Sequence, residues 1–216
     1  MFGKLIPAQV ITSFNTSNDG WQYMWVILTL GLVATGIAIE RFIQIYLKSA
    51  KGRHGFMYGV AQLLKHGKYD EAMQMAGASK LPIAKIVYGI LSVRDKGKDA
   101  MNDAREEIYL TEAPRLNRYL SLIQIVASVA TLMGLLGTIW GLIYTFDAVA
   151  NKPAAERPKA LADGIAVAMA TTYMGLTVAI PLALVQGWLA LQSERVIEEM
   201  DEKGMKIVND LASKLG

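Results

Sequence analysis

Three stretches of this sequence carry no charged residue over the length of a bilayer. They run from Trp21 to Ile39, from Tyr119 to Phe146 and from Gly164 to Ser193. A helix needs about 20 apolar residues to cross a hydrocarbon core of about 30 Å. Backbone in lipid must also satisfy its own hydrogen bonds, which a helix does within one segment. The chain is therefore read as an all-α membrane protein with three transmembrane helices. The second and third stretches exceed what a bilayer needs, so their helices are expected to extend into the cytoplasm.

Hydrophobic residues make up 53% of the 216 and charged residues 19%, and the placement of the charges says more than their total. Of 22 lysines and arginines, 14 lie between Arg41 and Arg118. The other side offers Lys4 in the N-terminal tail and Lys152, Arg157 and Lys159 in the second connection. The positive-inside rule then sets the orientation, with the N-terminus periplasmic and the C-terminus cytoplasmic in the inner membrane. The expected order is a periplasmic N-terminal segment (1–20), helix 21–39, a cytoplasmic helical domain (40–118), helix 119–146, a periplasmic loop (147–163), helix 164–193 and a cytoplasmic C-terminal helix (194–216). Trp21, Tyr23, Trp25, Tyr119 and Trp188 sit near the ends of the spans, where interfacial aromatics anchor.

The net charge of +3 is explained by this topology, and no nucleic-acid partner is expected. The chain has no cysteine, which excludes disulfides and thiolate chemistry. His54 and His66 stand in a basic stretch without other metal ligands at suitable spacing, so no metal site is expected from them. After Lys4 the apolar stretch is short and is followed by the polar break Asn15, Thr16, Ser17, Asn18 and Asp19. The first long apolar run is thus read as an uncleaved helix and not a signal peptide.

The segment between the first two spans reads as helical. Asp70 opens a helix through Ala76 that Gly77 stops. Pro82 opens another to about Val93, and a charged helix from Asp99 to Arg118 leads into the second span, with Pro114 as a kink point. Ile197, Met200, Ile207, Val208 and Leu211 recur at helical spacing in the tail.

The spans hold a second pattern. Steps of three and four along the second give Gln124, Ser128, Thr131, Gly134, Thr138, Gly141 and Thr145, all small or polar. The third gives Gly164, Ala168, Thr172, Gly175 and Ala179. Residues at these steps share a helix face. Thr138 precedes Asp147 by nine residues and Thr172 follows Asp163 by nine, which places both about 13 Å beneath the same boundary. Two accounts fit. Small residues let membrane helices approach closely, with threonine hydroxyls bonded to their own backbone. Alternatively, hydroxyls and carbonyls at one level replace part of an ion's hydration shell. No ionisable residue lies within any of the three runs, so a conducting path would draw its titrating carboxylate from a partner helix.

The segments Ala127–Leu142 and Asp163–Pro181, above all Gly134-Leu-Leu-Gly-Thr138-Ile-Trp-Gly141, resemble the MotA/TolQ/ExbB proton-channel family, and most closely its three-span ExbB/TolQ branch. The resemblance implies a homopentamer around an ExbD/TolR-like single-span partner that carries the essential aspartate. It also implies a TonB/TolA-like protein that spans the periplasm. The family's two pore threonines match Thr138 and Thr172. Thr131 stands where many members have proline, and Val167 stands where many ExbB members have glutamate. Thr171 adds a hydroxyl, and the Thr171–Thr172 pair resembles sodium-driven flagellar stators.

The resulting expectation is a channel-forming stator subunit of an ion-driven motor that works on the outer membrane. The transported ion is H+ or Na+, with no cofactor and no enzymatic activity. Thr131, Thr138, Thr145, Thr171 and Thr172 are the expected ion pathway, with Na+ near Thr138, Thr171 and Thr172 if sodium is used. Ser128, Gly134, Gly141, Ala168, Gly175 and Ala179 are expected to line it. Thr171 is otherwise a packing residue facing the first span. A flagellar or gliding-type stator subunit and a non-conducting membrane scaffold remain as alternatives.

Overall fold

The computed structural model describes residues 8–15, 21–50 and 52–215. The expected polar break beyond Asn15 lies outside them. Every regular element among the described residues is helical. In chain order these are α1 (Ala8–Thr12), α2 (Trp21–Phe42) with a π-helical continuation (Ile43–Ala50), α3 (Arg53–Lys65), α4 (Tyr69–Ala78) and α5 (Pro82–Ser92). A single 3-10 turn (Arg94–Lys96) precedes α6 (Lys98–Asn117), α7 (Leu120–Ala150) and α8 (Arg157–Leu215). Three helical stretches are long and apolar enough to cross a membrane.

The connection after the second apolar run is tighter than the loop expected over 147–163. Helix α7 continues to Ala150 and α8 already begins at Arg157. The first charge marks where lipid ends, and a helix that has left lipid has no reason to stop there. Pro158 occupies the first turn of α8, where its fixed φ and missing N–H cost nothing. For the same reason α8 does not end at Glu194. No glycine or proline stands there, and the helix runs its 59 residues to Leu215 with Pro181 inside it. Between α6 and α7 the interruption falls at Arg118 and Tyr119, and Pro114 stays within α6.

The chain divides into two compact units. The first comprises Met1–Ala38 and Ser121–Gln186. Its buried face on α2 is Met24, Ile27, Ala34 and Ala38, and on α7 it is Ile123, Ala127 and Ala130 followed by Gly134, Gly137, Gly141 and Thr145. Large apolar side chains such as Leu32, Leu132, Ile143, Met169 and Leu184 point outward. Small residues inside and bulky apolar ones outside invert the water-soluble pattern, as fits helices that pack in lipid. The short α1 is tied on by Val10 against Met24 and Ala170, and by the Trp25 indole N–H donating to the Phe14 carbonyl at 3.4 Å.

The second unit comprises Ile39–Leu120 and Gly187–Gly216. Its centre is α5, which is apolar nearly all round and buries Ile83, Ala84, Ile86, Val87, Ile90 and Leu91. A helix of that kind belongs inside a core. Phe56 and Val60 of α3, Ala72 and Ala76 of α4, Met101 and Leu116 of α6, and Val196, Met200, Val208 and Leu211 of α8 close over it. Gly89 lets α6 approach, since a Cβ there would collide with Ile108. Ion pairs fasten the periphery. Arg53 meets Glu199 at 2.7 Å, Lys85 meets Glu112 at 2.7 Å, and Arg105 pairs with Asp201. Arg105 thus bonds across helices within the chain.

Candidate functional site

Helices α7 and α8 pack along a seam of small residues in the first unit. A Cβ on Gly141 would lie 2.9 Å from the Ala168 methyl, and one on Gly134 would lie 3.1 Å from the Thr172 Cα. Gly164 faces Thr145 in the same way, and Gly175 faces Ala130 and Gly134. With no side chain on one partner, the two backbones reach each other.

Midway along this seam five oxygens converge. The Thr138 and Thr172 hydroxyls are hydrogen-bonded to one another. Thr138 Oγ1 also lies 3.2 Å from the carbonyl oxygens of Gly134 and Ala168, and Thr172 Oγ1 lies 3.0 Å from Gly134 O. Thr171 is 1% exposed, and its hydroxyl donates to Ala168 O at 2.7 Å with Gly134 O at 3.2 Å. Three hydroxyl protons and two carbonyls therefore share one small volume inside an otherwise apolar stretch. Thr138 and Thr172 remain half-buried, whereas Thr171 is enclosed.

The other expected residues separate into two groups. Gly134, Gly141, Ala168, Gly175 and Ala179 are buried at contacts between helices of the one chain, where they set helix spacing, and Gly141 also borders a cavity together with Thr145 and Gly164. Ser128 and Thr131 are exposed on α7, and their hydroxyls donate one turn back, to Gln124 O at 3.1 Å and Ala127 O at 3.2 Å. Thr145 is buried and donates to Gly141 O at 2.6 Å. Thr171 packs against Gly137 of α7, where a Cβ would lie 2.8 Å from its own. Gly137 was missing from the sequence-derived stripe. Steps of three and four begun at Gln124 pass it by, whereas the buried face of Ile123, Ala127, Ala130, Gly134, Gly137 and Gly141 begins one residue earlier.

A cavity of about 260 Å³ opens at the end of the seam, bordered by Tyr144, Thr145, Lys152, Asp163, Gly164 and Val167. Its charged groups are Lys152 and Asp163, and Val167 gives the third helix an apolar contribution there. Among the described residues no group of three or more His, Asp or Glu could hold a metal ion.

Fold and seam together define a polytopic membrane protein whose long apolar helices enclose a cluster of hydroxyls and carbonyls. The sequence profile of the MotA/TolQ/ExbB proton channel family matches residues 71–202, and the chain belongs to that family. Its relatives place it on the ExbB/TolQ-like branch. It is similar to the putative biopolymer transport protein ExbB homolog of Methanothermobacter thermautotrophicus, with 28% identity over 85% of this chain and 64% of the relative. The chain thus spans less than two thirds of that relative's length. It is also similar to the biopolymer transport protein exbB1 of Vibrio cholerae, with 27% identity over 82% of this chain and 78% of that protein. The Tol-Pal system protein TolQ of Haemophilus influenzae is 35% identical over 34% of this chain and 32% of its own.

Proposed function

We propose that the chain is the channel-forming subunit of an inner-membrane, ion-driven motor that couples H+ or Na+ flow to mechanical work on the outer membrane. The observation that carries this reading is the Thr138–Thr172 hydroxyl pair, half-buried at mid-depth of helices that hold no charged group nearby. Hydroxyls at that depth interact with a passing ion or with a carboxylate from a partner, and the chain offers no carboxylate of its own there. The partner is an ExbD/TolR-like single-span protein with an intramembrane aspartate. Five copies of this chain surround it, and a TonB/TolA-like protein receives the work. The second unit, with most of the lysines and arginines, faces the cytoplasm, and the N-terminus faces the periplasm. The role is transport without catalysis or a bound cofactor. Sodium coupling would need Thr171 turned out of the seam toward Thr138 and Thr172, whereas proton passage needs only the half-buried pair.

A non-conducting scaffold is the second reading. It draws on one observation: the three hydroxyls are already satisfied by backbone carbonyls of the same chain. Valine substitutions at Thr138 and Thr172 separate the two, since they keep the shape and remove the oxygens. The motor reading expects ion-driven work to disappear from a complex that still assembles. Full ion-driven work by the double variant would reject these two hydroxyls as the ion's path, and a wild-type complex that does no ion-driven work would leave the scaffold.

A further inference from the structure

The second unit holds a cleft of about 540 Å³ that the channel reading does not use, bordered by Arg41, Ser79, Lys80, Lys85, Glu112 and Arg115. Four cations there meet one carboxylate. Glu112 takes Lys85 at 2.7 Å and Arg115 at 3.5 Å, while Glu40 takes the outer edge of Arg41 at 2.7 Å. Lys80 has no ion pair among the described residues. The cleft therefore keeps an excess of positive charge.

Independently, Arg41 carries an unmet demand. Its side chain is 5% exposed, and its Nε has no hydrogen-bond partner. A buried guanidinium N–H without an acceptor is costly until one arrives. Pro82, which opens α5, also borders the cleft.

Height narrows the class of anion. Arg41 is the second residue after the apolar run that ends at Ile39, and Arg115 stands four residues before the run that begins at Tyr119. On the same stretch Phe42 stacks on Tyr46 and Trp188, with ring centroids 5.4 and 5.6 Å away, and all three rings are exposed. Exposed aromatics beside basic side chains mark the headgroup level of a bilayer. An acceptor delivered at that level by the membrane itself is a lipid phosphate, and basic pockets beside membrane helices suit it. We propose that this cleft binds the phosphate of an anionic phospholipid, with Lys80, Arg115 and Arg41 as its donors. The proposal does not depend on whether the assembled protein conducts ions.

The test uses the full chain purified in detergent and exposed to phosphatidylglycerol or phosphatidylcholine, with native mass spectrometry counting retained lipid. Lys80→Gln with Arg115→Gln removes two donors and leaves the Lys85–Glu112 pair in place. Lys65→Gln with Lys96→Gln removes the same charge elsewhere. Wild type and the control should retain phosphatidylglycerol preferentially. The cleft variant should lose about fivefold per cation removed and keep its melting temperature in phosphatidylcholine. Equal retention of both lipids by wild type, or undiminished retention by the cleft variant, would overturn the proposal. So would an equal loss in the control, or stabilisation by inorganic phosphate matching that by the lipid. Cross-linking of Lys80 to a second copy of the chain would also overturn it by assigning the cleft to a neighbour.

Discussion

Gly134 and Gly175 face each other across the α7–α8 seam with no room for a side chain between them. A methyl on Gly175 would lie 2.6 Å from the Ala130 carbonyl oxygen and 3.1 Å from the Gly134 Cα. Backbone cannot yield as a flexible side chain does, so Gly175→Ala must push the helices apart. Overpacking of this kind costs about 1–3 kcal/mol, against a gain of about 1 kcal/mol from alanine's helix propensity. Gly55→Ala in α3 meets nothing within 4 Å and keeps the gain alone. Melting in detergent should therefore fall for Gly175→Ala and hold or rise for Gly55→Ala. A raised melting temperature for Gly175→Ala rejects the close crossing.

Lys85 and Glu112 fix α5 to α6 through a pair that is unequally buried, with side chains 41% and 8% exposed. Lys85→Met strands a carboxylate whose remaining partner, Arg115, is 3.5 Å away. Because the lysine is partly in water, the loss should fall below the 3–5 kcal/mol of a fully buried pair, at about 1–2 kcal/mol. Adding Glu112→Leu should recover most of it. A double variant no more stable than Lys85→Met would show that the carboxylate is not what suffers.

The spans and their small-residue pattern were legible because each is a simple constraint. A bilayer forbids charge over a fixed length, and helix contact in lipid forbids bulk on one face. The partners of that face were harder to read. Sequence spacing placed Thr138 and Thr172 at one depth, but Gly137 and the inward turn of Thr171 depend on how two helices rotate against each other. Ser128 and Thr131 look equivalent to Thr145 in sequence, yet Thr145 is buried and they are not. The cleft around Arg41 was not visible either, because its basic groups come from α2, α5 and α6 and from the segment before α5.

Tyr119 closes the break between α6 and α7 with a φ of 66°, a left-handed conformation that costs a residue with a Cβ about 1–2 kcal/mol. Its ring repays part of this by stacking under two guanidinium groups, Arg118 at 4.5 Å and Arg41 at 5.2 Å. Tyr119→Phe should be close to neutral. Tyr119→Ala loses both guanidinium contacts and keeps the strain, whereas Tyr119→Gly loses the contacts and relaxes the backbone. Alanine should thus be less stable than glycine by about 1 kcal/mol in thermal melts. The reverse order would mean that the break adopts another conformation.

Thr171 decides between the two ions. Its hydroxyl is spent on Ala168 O inside the seam, and its Cβ packs where Gly137 has none. Valine keeps that packing and removes one buried hydrogen bond, at a cost of about 1 kcal/mol. Under proton coupling, Thr171→Val should leave ion-driven work within about twofold of wild type, because a proton passing the half-buried Thr138–Thr172 pair has no need of an enclosed oxygen. Under sodium coupling the ion needs several oxygens, and Thr171 is the only further hydroxyl in the cluster, so the same substitution should abolish work and its dependence on sodium. Work measured with and without sodium at a constant proton gradient, in wild type and Thr171→Val, reads both outcomes. The enclosed placement of Thr171 leads us to expect the first, and sodium-dependent work lost on substitution would overturn it.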